Sequence, residues 1–266
     1  MCLNKMIKAE KIIRYIVLWL KEYIKKSQSN GFIVGISGGI DSSVTSFLVA
    51  MTKLPTIILE MPIFEKRKNL LSTQHAKLLI NKFSNVCYLE KDLSALFTTF
   101  CHITNDSKKN TKRSLALANV KSRIRMVTLY YYANIKNYLV VGTGNKVEDF
   151  GVGFFTKYGD GGVDLQPIAD LTKSEVRFLA KKLNVIEEIQ EAKPTDGLWE
   201  DNRSDEDQLG ATYEELEWAM QIAQKKNYLF SKIEHKILKK YQKLHQKNKH
   251  KMITIPICKI PDDMKK

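Results

Sequence analysis

Apolar positions recur along the chain in two rhythms. Met6, Ile7, Ile12, Ile13, Ile16, Val17, Leu20 and Ile24 fall mostly at steps of three and four, which predicts an opening amphipathic helix ended by Asn30-Gly31. Phe32 to Ile36 is instead a short unbroken apolar run of the buried-strand type. Asp41 to Met51 reads as a helix before Pro55, Thr56 to Leu59 as a second strand, Asn69 to Phe83 as a helix, and Val86 to Leu89 as a third strand. Leu115 to Ala133 predicts a long helix, Tyr138 to Gly142 a further strand, and Gly151 to Gly162 a glycine-rich loop. Thr172-Lys173-Ser174-Glu175 and Thr212-Tyr213-Glu214-Glu215 have capping-box spacing, opening helices that run to about Leu183 and Lys225. Strands alternating with helices predict an α/β class, a doubly wound, mostly parallel sheet with helices on both faces. Without an internal repeat or a linker, residues 1–266 are expected to form a single domain.

Composition narrows the classes. A chain of 266 residues is long enough to bury a sizeable core. Its longest apolar runs, such as Tyr15 to Leu20, fall far short of the roughly 20 residues of a membrane helix, so no membrane association is expected. Lys8, Glu10, Lys11 and Arg14 interrupt the start too often for a signal peptide. Cys2, Cys87, Cys101 and Cys258 form no CxxC pair, which argues against a zinc site or disulfide framework and fits a cytoplasmic protein. Lys and Arg number 43 against 29 Asp and Glu, a formal charge of +14 that attracts polyanions without choosing among them.

Chemistry enters with Gly35-Ile36-Ser37-Gly38-Gly39-Ile40-Asp41-Ser42, set between a buried strand and a helix. Two adjacent glycines leave backbone N–H groups uncovered, and the helix that follows adds its positive end, which makes a nest for an anion. Ser37 and Ser42 supply hydroxyls, and Asp41 offers a hard oxygen to Mg²⁺. A Walker A loop is excluded because GK[ST] is missing. The loop resembles the SGGxDS loop of the N-type ATP pyrophosphatases, a superfamily that adenylates a carboxylate or carbonyl and releases pyrophosphate.

A second set of motifs is more selective: Val141-Gly142-Thr143-Gly144-Asn145-Lys146-Val147-Glu148, then Gly153-Phe154-Phe155-Thr156-Lys157-Tyr158-Gly159-Asp160-Gly161-Gly162, then Asp164 and Leu171-Thr172-Lys173. Lys193 to Trp199 and Asp205 to Gly210 complete it. From Gly31 to about Lys251 the chain resembles the ammonia-dependent NAD synthetases, of adenine nucleotide α-hydrolase-like fold. The resemblance implies that Gly35, Ile36, Ser37, Gly38, Gly39, Ile40, Asp41 and Ser42, with Thr143, Lys173 and Thr195, bind ATP. It implies Asp41 and Glu148 as ligands of Mg²⁺, and Arg123, Lys157, Asp164, His250 and Lys251 as contacts of deamido-NAD⁺. Lys173, Asp41 and Thr195 are the expected catalytic group, and a homodimer is expected. One departure stands out, since Met252-Ile253-Thr254 replaces the arginine-proline run that often follows the family's His-Lys pair.

The nitrogen donor expected is free ammonia, because glutamine-using relatives carry an added amidase domain and this chain begins about 30 residues before its nucleotide loop. A tRNA-modifying ATP pyrophosphatase is the alternative reading. Ten lysines against one acid, Glu234, between Lys225 and Lys251 are compatible with it. Leu229, Phe230, Ile233, Ile237, Leu238, Tyr241 and Leu244 form an apolar stripe there, however, so the lysines are the solvated face of a docked helix and no nucleic-acid partner is expected. Lys173 follows the capping residue Thr172, where its charge opposes the helix dipole; removing it is expected to leave the fold as stable or firmer.

Overall fold

The structure, a computed structural model, describes residues 9–64, 70–104, 111–199, 201, 203–223, 225 and 231–265. Met6, Ile7, Asn69, Leu229 and Phe230, assigned above to helices, lie outside them. The order is α1 (Ala9–Ser27), β1 (Gly31–Gly35), α2 (Ile40–Ala50), β2 (Thr56–Glu60), α3 (Leu70–Lys82), β3 (Val86–Glu90), α4 (Ser94–Thr104), α5 (Thr111–Lys136) and β4 (Tyr138–Val141). A π-helical turn (Val147–Val152), α6 (Lys173–Leu183), α7 (Glu187–Glu191), α8 (Asp205–Leu209), α9 (Tyr213–Ile222), α10 (Lys232–Met252) and a closing 3₁₀ turn (Asp262–Met264) follow.

The strands pair in parallel in the order β3-β2-β1-β4, with Ile33 opposite both Ile57 and Val140. Side chains alternate across this sheet, so each short apolar run feeds two cores. Phe32, Val34, Ile58 and Val141 pack against Ile16 and Leu20 of α1, Val44 and Leu48 of α2, and Val176 and Leu179 of α6. Ile33, Ile57, Leu59 and Val140 face the other way, onto Phe97 of α4 and Ala133 of α5. Each such side chain, fully buried, contributes about 2 kcal/mol relative to exposure. A third cluster joins Val147 and Val152 to Tyr213 and Leu216 of α9 and to Leu238 and Tyr241 of α10.

Some boundaries differ from the sequence reading. Helix α4 was not anticipated, because Ser94–Thr104 buries only Phe97 fully and shows little of a core-facing stripe. The glycine-rich loop begins later than Gly151, since Gly151 and Val152 close the π-helical turn. Ile233 is exposed rather than part of the docked stripe of α10, which Ile237, Leu238, Tyr241 and Leu244 supply. Both anticipated capping boxes form, at Thr172 and Thr212, and Ser204 and Ser231 make two more.

Topology places the site. From β1 the chain steps to β2 and β3, then returns to lay β4 on the far side of β1. Connections leaving the carboxyl ends of β1 and β4 therefore part in opposite directions and open a crevice between them, where open α/β sheets bind ligands.

Candidate active site

The β1–α2 loop forms one wall of that crevice. Gly38 takes φ 78°, in the left-handed region a side chain disfavours. The Ser37 and Ser42 hydroxyls lie 3.1 Å apart, Gly39 N–H donates to Ser37 Oγ at 3.3 Å, and Ser42 Oγ donates to Gly39 O at 3.0 Å. The two serines thus brace the turn from within. Gly39 occupies the N-cap of α2 without a side-chain cap, so the positive end of that helix is left for an anion.

Beside it, side chains from separate elements meet through one ammonium. Lys173, the first residue of α6, is only 2% exposed. Its Nζ donates to Asp41 Oδ2 at 2.5 Å and to Glu148 Oε1 at 3.1 Å. The Tyr213 hydroxyl donates to the same Glu148 oxygen at 2.5 Å and lies 3.2 Å from Asp205 Oδ2, while the Tyr213 ring backs the ammonium at 4.7 Å. Asn145 completes the link between the loops. Its amide donates to Asp41 Oδ1 at 3.3 Å, and its oxygen accepts from the N–H groups of Val147 and Glu148.

Lys173 is thus a buried, paired ammonium rather than a surface lysine opposing a dipole, which corrects the expectation that its loss leaves the fold untouched. Taking it away would strand two carboxylates that are themselves only 16% and 15% exposed. Burial alone would lower the Lys173 ammonium, but Asp41 and Glu148 hold it above its ordinary value. Burial, helped by Glu148, raises the carboxyl of Asp41 despite the attraction of Lys173. Burial and then Glu148 push Asp205 up to about 7, and its Oδ1 is buried without a hydrogen-bond partner. Burial, Glu148 and Asp205 raise the Tyr213 phenol, which stays a donor.

A second group of cations lies around residues 153–158. Arg123 of α5 donates to Lys157 O at 3.3 Å, and Lys157 Nζ donates to His250 O at 3.0 Å. Lys251 Nζ donates to Phe155 O at 2.7 Å and also to Gly153 O. Helix α10 is stapled to the π-helical turn by His245 Nδ1, 2.7 Å from Gly151 O, and by Asn248 Nδ2, which donates to Val152 O at 2.8 Å. That close approach requires Gly153: its φ is 65°, and a Cβ there would lie 2.5 Å from Asn248 Cβ. The Asp160 carboxylate, bonded at 2.6 Å by Ser122 Oγ and at 3.0 Å by Thr156 N–H, ties the loop to α5.

The structure thus brings Asp41, Glu148 and Lys173 together, and gathers Arg123, Lys157, His250 and Lys251. Thr143 is half-buried at the exit of β4. Thr195 is exposed in the loop before α8, where its hydroxyl donates to Arg203 O at 3.3 Å and accepts from Gly197 N–H. The Asp164 carboxylate accepts from the Val140 N–H at 2.8 Å and the Tyr130 hydroxyl at 3.0 Å, along the outer edge of β4. Sequence reasoning missed Asn145, Asp205 and Tyr213. The first two lie in strings that had been noted, and Tyr213 directly follows a capping threonine, but nothing in their spacing joins them to Lys173.

Comparison with known proteins follows the same lines. A family model described as NAD synthase matches residues 12–254. The NH(3)-dependent NAD(+) synthetase of Malacoplasma penetrans is 41% identical over 208 residues, 78% of this chain and 81% of its own length. The structure of NMN synthetase from Francisella tularensis aligns with a TM-score of 0.81 at 30% identity, covering 95% of this chain and 99% of that one. The NH3-dependent NAD synthetase from Campylobacter jejuni, in complex with the nitrate ion, aligns at 0.73 and 26% identity, covering 95% and 100%. The architecture is the adenine nucleotide α-hydrolase-like fold of these synthetases.

Proposed function

We propose, from the premise that the chain belongs to the NAD synthase family, that it is an ammonia-dependent NAD⁺ synthetase, a ligase that forms a C–N bond. Its main support in the molecule is the meeting, at the β1/β4 crevice, of an anion nest with a buried lysine shared by two carboxylates. In the first half-reaction a carboxylate oxygen of deamido-NAD⁺ bonds to the α-phosphorus of ATP, and the bond from that phosphorus to the bridging oxygen breaks, releasing pyrophosphate. In the second, ammonia bonds to the activated acyl carbon, AMP leaves with the acyl oxygen, and a proton is lost, giving NAD⁺.

In this reading the Gly35–Ser42 loop holds the phosphates with backbone N–H groups and hydroxyls, and Thr143 and Thr195 bound the ATP site. Lys173 takes up charge as pyrophosphate departs, a preorganised electrostatic role. Arg123, Lys157, Asp164, His250 and Lys251 position the anionic dinucleotide. Mg²⁺ fits the donors present, since Asp41 and Glu148 offer hard oxygens to the same cationic point. Among the described residues no cluster of three or more His, Cys, Asp or Glu is arranged to hold a metal. Mg²⁺ takes one or two carboxylates and fills its shell with water and phosphate. Held by Asp41 and Glu148, it would neutralise triphosphate charge.

A homodimer belongs to the same reading: Val127, Tyr131 and Ile135 step by four along α5 and are exposed, as are Leu96 and Ile103 on the adjoining α4. A single domain in the cytoplasm completes it; among the described residues no helix is long and apolar enough to cross a membrane. The NMN synthetase likeness favours one second reading, in which the same two half-reactions act on the mononucleotide acid.

One assay separates these readings. Purified chain, ATP and Mg²⁺ are combined with ammonium and either deamido-NAD⁺ or nicotinic acid mononucleotide, and AMP, pyrophosphate and the amide product are quantified. Stoichiometric NAD⁺ from deamido-NAD⁺ is expected, with glutamine unable to replace ammonium. Preference for the mononucleotide would move the assignment to NMN synthesis, and ATP consumption driven only by bulk tRNA would overturn both.

A further inference from the structure

We propose that Lys173 is an internal counter-cation for the Asp41–Glu148 pair, and that it cedes these two carboxylates to a divalent ion only when a nucleoside triphosphate arrives to take its ammonium. The inference rests on the reading that a triphosphate binds at the β1/β4 crevice, and it adds an order to that binding.

Geometry carries it. Nζ donates to both carboxylates, at 2.5 and 3.1 Å, and the Tyr213 ring lies 4.7 Å from it. A divalent ion held by those same oxygens would need the place that the ammonium occupies. Two cations would then share one small, water-poor space, where their repulsion is scarcely screened. Occupancy of the carboxylates by the ammonium or by the metal is therefore mutually exclusive in this arrangement.

The ammonium has somewhere to go. Asp41 is the second residue of α2, so the anion nest at the start of that helix lies within one turn of the Lys173 contact. A lysine is a point charge on a flexible stem, able to change acceptor from carboxylate to phosphate without moving its helix. Glu148 would stay aimed after the exchange, because the Tyr213 hydroxyl, itself beside Asp205, holds the same oxygen at 2.5 Å. Asp41 would likewise keep its bond from Asn145 at 3.3 Å. Metal and nucleotide then bind with positive coupling, and by linkage each tightens the other equally.

The test is a binding measurement without turnover. Mn²⁺ binding is titrated by the loss of the free-ion EPR signal, with wild type and Lys173→Met, in the presence and absence of α,β-methylene-ATP. Wild type should bind Mn²⁺ weakly alone and on the order of 10-fold or more tightly with the analogue. Lys173→Met should bind Mn²⁺ alone on the order of 10-fold more tightly than wild type alone, and should gain less from the analogue. A variant no tighter than wild type, or a wild type indifferent to the analogue, would overturn the proposal. Should Lys173→Met not fold, Lys173→Gln is measured in its place. A wild-type crystal soaked in MnCl₂ alone gives a further check: manganese between Asp41 and Glu148 with Lys173 still touching both would overturn the exchange. Neither deamido-NAD⁺ nor ammonia enters these measurements, so failure of the amidation reading would show separately, in the synthesis assay.

Discussion

Two groups of cations are held in opposite ways. Lys173 is neutralised by carboxylate side chains from two other elements, Asp41 on α2 and Glu148 in the π-helical turn. Arg123, Lys157 and Lys251 are held instead by backbone carbonyls, those of Lys157, His250, Gly153 and Phe155. A carbonyl orients a cation without cancelling its charge. In the proposed function the first arrangement suits a charge that must be moved during reaction, and the second a cation kept for an anionic substrate. Burial separates them further, since Lys173 is almost inaccessible while Arg123 and His250 are exposed.

The contrast is broken most severely at Lys173. Lys173→Met should lower kcat by on the order of 10²-fold or more, as loss of a preorganised charge-stabilising donor does. It should also destabilise the ligand-free chain by about 3 kcal/mol, because it strands two buried carboxylates. Urea denaturation with single-turnover kinetics checks both. A fully stable variant with only a raised KM for ATP would place Lys173 among the substrate-holding cations.

Asp41→Asn and Glu148→Gln preserve side-chain size and remove one charge each. Either should cut turnover by on the order of 10-fold at limiting Mg²⁺, with partial recovery at high Mg²⁺, as expected for loss of one of two carboxylate ligands. A Mg²⁺ titration of initial rate reads this directly; wild-type rates at low Mg²⁺ would remove the residue from the metal-facing pair.

In the carbonyl-held group, Lys157→Met should raise the KM for deamido-NAD⁺ by roughly 10-fold, the size of one lost charge-assisted contact, with kcat nearly kept. That effect should shrink as salt is added, because the cation is only half-buried. A drop in kcat at constant KM would instead align Lys157 with Lys173.

The effect that leaves turnover aside concerns pH. Asp205 is raised to about 7, chiefly by burial and then by Glu148, so the folded chain favours its neutral form. Its contribution is complete below the unfolded value near 4 and is lost as pH rises through about 7. Relative to Asp205→Asn, wild type should therefore lose about 2–3 kcal/mol of unfolding free energy between pH 5 and pH 8. Denaturant midpoints at those two values report it; a constant difference would mean that Asp205 is already ionised at pH 5.

Much of this was legible beforehand because it is local. Apolar runs at Phe32–Ile36 and Thr56–Leu59 became β1 and β2, since a strand buried on both faces needs no alternation. The Thr172 and Thr212 capping boxes formed because their partners are three residues away. Helix α4 escaped notice because most of its apolar residues remain partly exposed, Phe97 being the one fully buried.

By itself, then, the sequence determined the strand–helix alternation, the phosphate-type loop between β1 and α2, and which residue types were available for its chemistry. Those follow from short-range sterics, hydrogen bonding and periodicity, which act within a few residues. Only the tertiary structure decided that Lys173, 132 positions from Asp41 along the chain, is a buried ion pair, with Asn145, Tyr213 and Asp205 around it. It likewise set the Asp164 carboxylate on the Val140 N–H at the edge of β4. Electrostatic fate depends on distance in space and on burial, and both are created when β4 returns to lie beside β1.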